Sequence, residues 1–375
     1  MRVLVINWQD LRNPLAGGAE VHLHEVFSRL ASNGHRVTLL CSSFPGAPVE
    51  ESIDGMRVLR GGSRSLFNYH AAIAARRLLR NERFDVVVDD MNKIPFFAPL
   101  LTRTPVCGIG HHLFRRSIFV ETNVAAASYI YAMENAALRH YVARQTPFIV
   151  NSRSTYDDFV ASGFAPAQLR IVHLAVNHRV YHPTGIPKSP EPLIAHFGRL
   201  KKYKSVDVLL RALPLLRRDI PTLKTIIVGE GDDRPRLEGI ARALNLGEAV
   251  EFTGFVPEAR QVEIMQSAWC AVATSAKEGW GMTATEANAC GTPVVASNVP
   301  GLRDSVKDGE TGILYPYGDH EALAGALAGL LRDGALRERL SAEAVRWAGT
   351  FTWEIAARKT EACLQAVADG RPLPD

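Results

Sequence analysis

No stretch of the sequence approaches the ~20 consecutive apolar residues that a helix needs to span a bilayer. The chain also lacks the basic region, long apolar core and small-residue cleavage site of a secretory leader, since Met1 runs directly into the strand-like Arg2-Val-Leu-Val-Ile6. The expectation is a cytoplasmic protein, soluble or at most peripheral at the inner face of a membrane. Cysteine is sparse: Cys41, Cys107, Cys270, Cys290 and Cys363 are scattered and odd in number, with no C-x-x-C pair and no histidine at metal-ligating spacing. That pattern excludes a disulfide framework or a zinc ribbon and points to reduced core thiols. Low-complexity tracts are missing, so disorder is expected only near the last few residues. A dense basic helix and a stacked aromatic motif are missing too, which argues against nucleic acid as a partner.

What is present is ordinary globular chemistry, 47% hydrophobic and 22% charged. At 375 residues the chain fits two domains, each large enough to bury a core without staples. The net charge of +4 is unevenly divided, with the cationic excess lying in residues 1–183.

Strand-like and helix-like periodicities alternate throughout, which implies parallel sheets covered by helices on both faces. Val3–Ile6 is a short apolar run, followed by the glycine-containing loop 13–18. A helix follows with Leu23, Val26, Phe27 and Leu30 at helical spacing, stopped by Gly34, and then a strand over His35–Cys41. Further strands are expected at Phe84–Val88, Pro105–Ile109, Phe148–Val150 and Ile171–Leu174. Between Val176 and Pro192 the periodicity lapses and Pro183, Pro187, Pro190 and Pro192 accumulate, the signature of a linker. The alternation then restarts, with strands near Leu193–Phe197, Thr225–Val228, Ala271–Ala273 and Val294–Ala296. The expected architecture is α/β: a first Rossmann-like domain over 1–180, a linker over 181–192, a second over 193–350, and a C-terminal helix within 351–375 that crosses back to the first domain. Two doubly wound halves of this kind leave an interdomain cleft at the carboxyl ends of their strands, where such folds place ligands.

The most informative segment runs from Lys277 to Ala296. Gly279 and Gly281 keep Glu278 in a loop, whereas Thr283–Cys290 reads as a helix closed by Gly291 with Pro293 just beyond. Glu278 and Glu286 thus bracket a helix N-terminus, a natural seat for a phosphate. Gly281, lacking a Cβ, allows close approach of the backbone. Carboxylates on either side suit hydroxyls flanking a diphosphate; the plainer alternative makes Glu286 a first-turn acid favoured by the helix dipole. Arg199 and Lys204, in the loop after the second domain's first strand, place cations where they would neutralise a diphosphate leaving group, while Lys201 and Lys202 read as solvated. Gly17-Gly18-Ala-Glu20 offers amides at a helix start but lacks the third glycine of a dinucleotide fingerprint, which argues against a nicotinamide enzyme. Gly229-Glu-Gly231 is a weak signal by itself. His111 and His112 end a strand and face the expected cleft, whereas His22, His24, His70 and His140 read as structural. No D-x-D-type cluster lies at the phosphate site, and Asp89-Asp90, read as following a strand, is structural or acceptor-facing.

This constellation resembles the family 4 retaining glycosyltransferases, which have the GT-B architecture of two Rossmann-like domains. The resemblance runs over nearly the whole chain and rests on Glu278 and Glu286 as an E-x7-E motif, the Gly-Arg-Leu…Lys204 loop and the Gly-Gly-Ala-Glu20 loop. It implies that Glu278 contacts hydroxyls of the donor sugar and Glu286 the ribose. Arg199 and Lys204 would hold the diphosphate with the amides of Met282 and Thr283, Gly17 and Gly18 would close over the phosphates, and the backbone at Val256 would meet the nucleobase. His111 matches the family's active-site histidine better than His112; it would position the sugar and stabilise developing positive charge. The chain departs from the family at Ser205, where glycine is usual, and at Trp280, where phenylalanine is usual.

The activity so implied is metal-independent transfer, with retention, from a nucleotide diphosphate-sugar to an acceptor hydroxyl on a glycan, lipid-linked or small-molecule acceptor, with no cofactor and with UDP-sugar favoured over GDP-sugar. The acceptor should lie with the first domain. There, Arg76, Arg80 and Arg83 fall on one face of an expected helix over 68–83, and Leu113–Phe119 mixes aromatics with cations. These features read either as a solvated face or as peripheral contact with an anionic membrane. Competing readings are a nucleotide-sugar epimerase, a non-catalytic nucleotide-sugar-binding subunit and a nicotinamide dehydrogenase.

Overall fold

The computed structural model describes residues 1–91 and 93–374. The chain forms two compact α/β units, one of Met1–Ala175 with Trp353–Asp375, the other of Val176–Thr352.

The first unit is built on eight strands: β1 (Arg2–Ile6), β2 (Arg36–Cys41), β3 (Glu50–Ile53), β4 (Met56–Arg60), β5 (Val86–Met91), β6 (Val106–Gly110), β7 (Phe148–Val150) and β8 (Leu169–Ile171). Their spatial order is β3-β4-β2-β1-β5-β6-β7-β8. All neighbours are parallel except β3, which pairs antiparallel with β4 at the edge. Val3, Leu4, Val5 and Ile6 of the central strand are fully buried, as expected for a parallel strand covered on both faces.

The second unit carries β9 (Leu193–Phe197), β10 (Lys224–Val228), β11 (Val250–Gly254), β12 (Cys270–Ala273), β13 (Val294–Ser297) and β14 (Gly312–Tyr315), all parallel, in the order β11-β10-β9-β12-β13-β14. Renumbered from its first strand this is 3-2-1-4-5-6, the doubly wound Rossmann order, with the reversal between β9 and β12. In the first unit the strands β4-β2-β1-β5-β6-β7 repeat that order with the reversal between β1 and β5, and β8 extends the sheet beyond β7. The second sheet is sandwiched between one apolar layer containing Leu209, Leu213, Leu327 and Leu330 and another containing Met265, Ala284, Ala287 and Leu302.

The proline-rich stretch lies against the second unit. Tyr181 is buried in its core, and the Lys188 ammonium donates to the carbonyl of Ala268 (2.8 Å) and the Thr292 hydroxyl (2.7 Å). Val176 and Thr352, the first and last residues of that unit, are paired as a β-bridge. The helix Trp353–Ala368 belongs to the first unit and packs on the helix Gly18–Ser32. The Arg29–Glu354 ion pair (3.1 Å) fastens the two together, and just beyond the first helix His35 is hydrogen-bonded to Glu361 (2.8 Å).

Several sequence expectations need correction. Asp89 and Asp90 lie within β5 and are buried, because the strand starts and ends later than its apolar run suggests. The strand expected from Ile171 ends there instead, with Leu169 in register with Phe148. The helix expected over 68–83 is Phe67–Asn81, ended by the extended backbone of Glu82, so Arg83 lies outside it. The β3–β4 hairpin, β11 and β14 were not foreseen. All five cysteines are buried and unbridged, and among the described residues no helix is long and apolar enough to cross a membrane.

Candidate active site

In the second unit the predicted residues gather at the carboxyl ends of β9 and β12, on either side of the strand-order reversal. The Lys204 ammonium lies 2.6 Å from a Glu278 carboxylate oxygen, which also accepts from the Ser275 hydroxyl at 2.6 Å. Burial works against the Lys204 charge, but the Glu278 carboxylate outweighs it and holds the ammonium above the ordinary lysine range. Hydrogen bonds to backbone carbonyls lock the two loops: the Thr274 hydroxyl donates to the Lys204 carbonyl (2.7 Å), and the Ala276 amide to that of Tyr203 (2.8 Å). Arg199 is exposed, and its charge acts on Lys204.

Helix Met282–Ala289 begins at Gly281, whose φ of +92° suits glycine. A Cβ there would meet Leu302 at 2.7 Å, so the fold itself requires this glycine, and its missing side chain points into the protein. Among the described residues the amides of Met282 and Thr283 have no acceptor, which leaves an uncapped helix start beside the Lys204–Glu278 pair. Glu286 is the fifth residue of this helix, beyond the first turn. Burial, reinforced by the Glu258 carboxylate, pushes its pKa up to about 7. An acid retained only for the helix dipole would sit in the first turn and titrate low, so the plainer alternative for Glu286 does not hold. Val256 follows β11 and packs on the core.

Three glycines outside the predicted set shape these loops. Cβ atoms at Gly229 and Gly231 would fall 2.0 Å from the carbonyls of Gly198 and Leu200, so the Gly-Glu-Gly turn exists to lie against the loop that carries Arg199. A Cβ at Gly301 would fall 2.2 Å from the Glu278 carbonyl, at a φ of +83°. Gly301→Ala is therefore expected to destabilise the fold by about 2–3 kcal/mol and to displace Glu278. An unchanged thermal denaturation midpoint would show that this turn yields freely.

In the first unit His111 stands just beyond β6, and its Nε2 lies 2.9 Å from Asp90 Oδ1 on the neighbouring β5. Burial disfavours the imidazolium, but Asp90 and the more distant Glu20 overcome it and raise the His111 pKa. A ring drawn toward the charged form suits donating a hydrogen bond; the carboxylates of Asp90 and Glu20 supply the negative charge. The Asp89-Asp90 pair thus splits in role. Asp89 accepts from the Tyr141 hydroxyl (2.6 Å) and the Ala98 amide (2.9 Å) and braces the fold, while Asp90 faces His111. His22, expected to be structural, lies edge-on to His111 with ring centroids 5.4 Å apart, and Trp353 backs it at 6.0 Å. His112 packs instead on Phe114.

Gly17 and Gly18 open the helix Gly18–Ser32, where the Gly17 amide donates to the Glu20 carboxylate at 2.7 Å. Burial raises the Glu20 pKa in spite of that bond. The loop between β1 and this helix is fixed by the buried pair of Asp10 with Arg60, at 2.7 and 3.1 Å. Among the described residues no cluster of three or more His, Cys, Asp or Glu is arranged to ligate a metal.

Residues 16–180 match the model of Glycosyltransferase Family 4, and residues 182–347 match that of Glycosyl transferases group 1. The chain belongs to the GT-B glycosyltransferases. It transfers a sugar from a nucleotide-sugar donor to an acceptor. Among the relatives of this glycosyltransferase is the D-inositol 3-phosphate glycosyltransferase of a Nocardioides species (strain JS614), 29% identical over 92% of this chain and 84% of the relative. The fold is similar to that of sucrose-phosphate synthase from Thermosynechococcus elongatus, with a TM-score of 0.82 and 23% identity over 98% of this chain and 99% of that one. It is similar also to Anabaena Alr3699/HepE in complex with UDP and glucose, with a TM-score of 0.76 and 18% identity over 98% of this chain and 100% of that one.

Proposed function

We propose that this glycosyltransferase acts with retention on a nucleoside diphosphate-sugar, UDP-sugar before GDP-sugar, and needs no metal. The observation that carries the reading is the preformed Lys204–Glu278 pair beside the uncapped amides of Met282 and Thr283. Lys204 and Arg199 neutralise the diphosphate, the two amides and Gly281 seat a phosphate, and Gly17 and Gly18 contribute from the first unit. Glu286 accepts from the ribose hydroxyls, and the backbone at Val256 meets the base. The UDP preference is supported by the complex of Alr3699/HepE with UDP.

In the reaction the acceptor oxygen bonds to the anomeric carbon on the face that the diphosphate leaves. The bond from that carbon to the phosphate oxygen breaks, and the leaving phosphate takes the acceptor's proton. Cations held in place before the step stabilise the leaving group without reorganisation. Glu278 and His111 hold the sugar in the orientation for attack.

Calorimetric titration with UDP, GDP and ADP in EDTA tests the donor site. Selective binding of UDP, indifferent to EDTA and weakened in Glu286→Ala, is expected; binding that requires a divalent cation would overturn the metal-independent reading. Because hydrogen bonds from ribose hydroxyls favour the carboxylate, affinity is expected to rise about tenfold between pH 6 and pH 8 as Glu286 ionises. Glu286→Gln should abolish that part of the dependence and leave only the part due to the nucleotide's own phosphate.

A further inference from the structure

The first unit exposes large apolar side chains in two adjoining places, and both are bordered by arginine. On the helix Phe67–Asn81 the buried side chains are Phe67, Ala71 and Ala75. The opposite face runs from Leu66 through Tyr69 and Ile73 to Arg76, Arg77 and Arg80, all exposed, with Ile73 at 73%. This outward stripe is apolar in its first half and cationic in its second. The second place is the turn and helix start containing Phe119, Val120, Val124 and Tyr129, also exposed. The Tyr69 phenol acts on the Tyr129 phenol, raising its pKa, so the two places adjoin as one surface.

Charge decides what covers this surface. Residues 55–81 contain no Asp or Glu, and Glu121, beside Phe119, is paired with Lys93 at 2.9 Å. A second copy of the chain seated here by an isologous contact would bring two arginine rows together. An anionic lipid surface instead offers hydrocarbon for Leu66, Ile73, Phe119 and Val124 and phosphates for the arginines, while Tyr69 and Tyr129 suit the boundary between them.

We propose that this face of the first unit docks on an anionic membrane, with the helix Phe67–Asn81 lying in the interface and its first half the more deeply inserted. The inference is independent of the donor reading and goes beyond it. The surface continues from the segment just after His111, so docking would bring a lipid-linked acceptor to the unit that carries that histidine.

Vesicle flotation tests it. The full chain is expected to float with phosphatidylcholine vesicles containing a minor fraction of phosphatidylglycerol, to stay behind with phosphatidylcholine alone, and to be released by salt. Tyr69→Ser with Ile73→Ser, and separately Arg76→Glu with Arg80→Glu, should each lower the bound fraction at least tenfold while leaving the denaturation midpoint and UDP binding unchanged, since all four side chains are exposed. Failure of the wild-type chain to float at low salt would overturn the proposal, as would undiminished flotation of both double variants. Light scattering that shows a dimer dissociated by the same substitutions would assign the face to a second copy instead. Loss of UDP binding in the wild-type chain would sink the donor reading and leave this one standing.

Discussion

Lys204→Met is expected to lower kcat by about 10²–10³-fold, the loss found when one preorganised charge-stabilising group is removed from a site of this kind. The lysine is held 2.6 Å from Glu278, between loops locked to one another by hydrogen bonds to the carbonyls of Tyr203 and Lys204. Its charge is therefore in place when negative charge develops on the leaving diphosphate. The same substitution leaves a half-enclosed carboxylate with only the Ser275 hydroxyl and is expected to cost about 3 kcal/mol of stability. A double variant separates the two effects. Lys204→Met with Glu278→Gln removes both charges and should recover most of the stability while leaving UDP affinity low. If UDP affinity returned with stability, Lys204 would be a structural cation and its assignment to the leaving group would fall.

Asp90→Asn is the second large expected effect, a loss of about 10²-fold in kcat/KM. Asp90 reaches His111 from the neighbouring strand, and its carboxylate raises the His111 pKa against burial. Removing that charge lowers the His111 pKa, so the limb of the pH–rate profile governed by His111 should move to lower pH. A purely structural role would leave the profile in place. The sign for stability follows from the same shift. With its folded-state pKa raised, His111 contributes stability that is full below the ordinary histidine value near 6.5 and is lost as pH rises through the raised value. Wild-type chain should accordingly lose a small increment of stability across that window, and Asp90→Asn should not.

The grouping of the candidate donor residues was legible because they are local in sequence. Glu278, Gly281, Met282, Thr283 and Glu286 share one loop and one helix, and glycine spacing announces where that helix starts. Arg199 and Lys204 likewise follow directly from a clear apolar strand. The first unit's half was less legible because it is assembled across strands. Nothing in the spacing of Asp90 and His111 states that β5 and β6 are neighbours with Met91 opposite Gly110. His22 reads as an ordinary polar residue on an amphipathic helix until the helix from Trp353 is placed against it. The exposed helix face was legible only in part for a related reason: a stripe of arginine suggests solvent, and only the burial of the opposite face shows that Tyr69 and Ile73 share that exposed side. The short edge strand β3 and its neighbour β4 carry charged and polar residues, so their alternation is weak.

The whole of Val176–Thr352 is inserted into the first unit between β8 and the helix Trp353–Ala368, with its two ends bridged side by side. This connectivity sets an order of assembly on the ribosome. At about 5–20 residues per second, the insert takes on the order of ten seconds or more to be made. Throughout that interval the helix Gly18–Ser32 waits for its partner, and His22 has no Trp353 behind it. The second unit, contiguous in the chain, is free to fold first, and His22 and His111 are set only as the last residues emerge. A nascent chain stalled before Trp353 should thus bind nucleotide before it can transfer sugar.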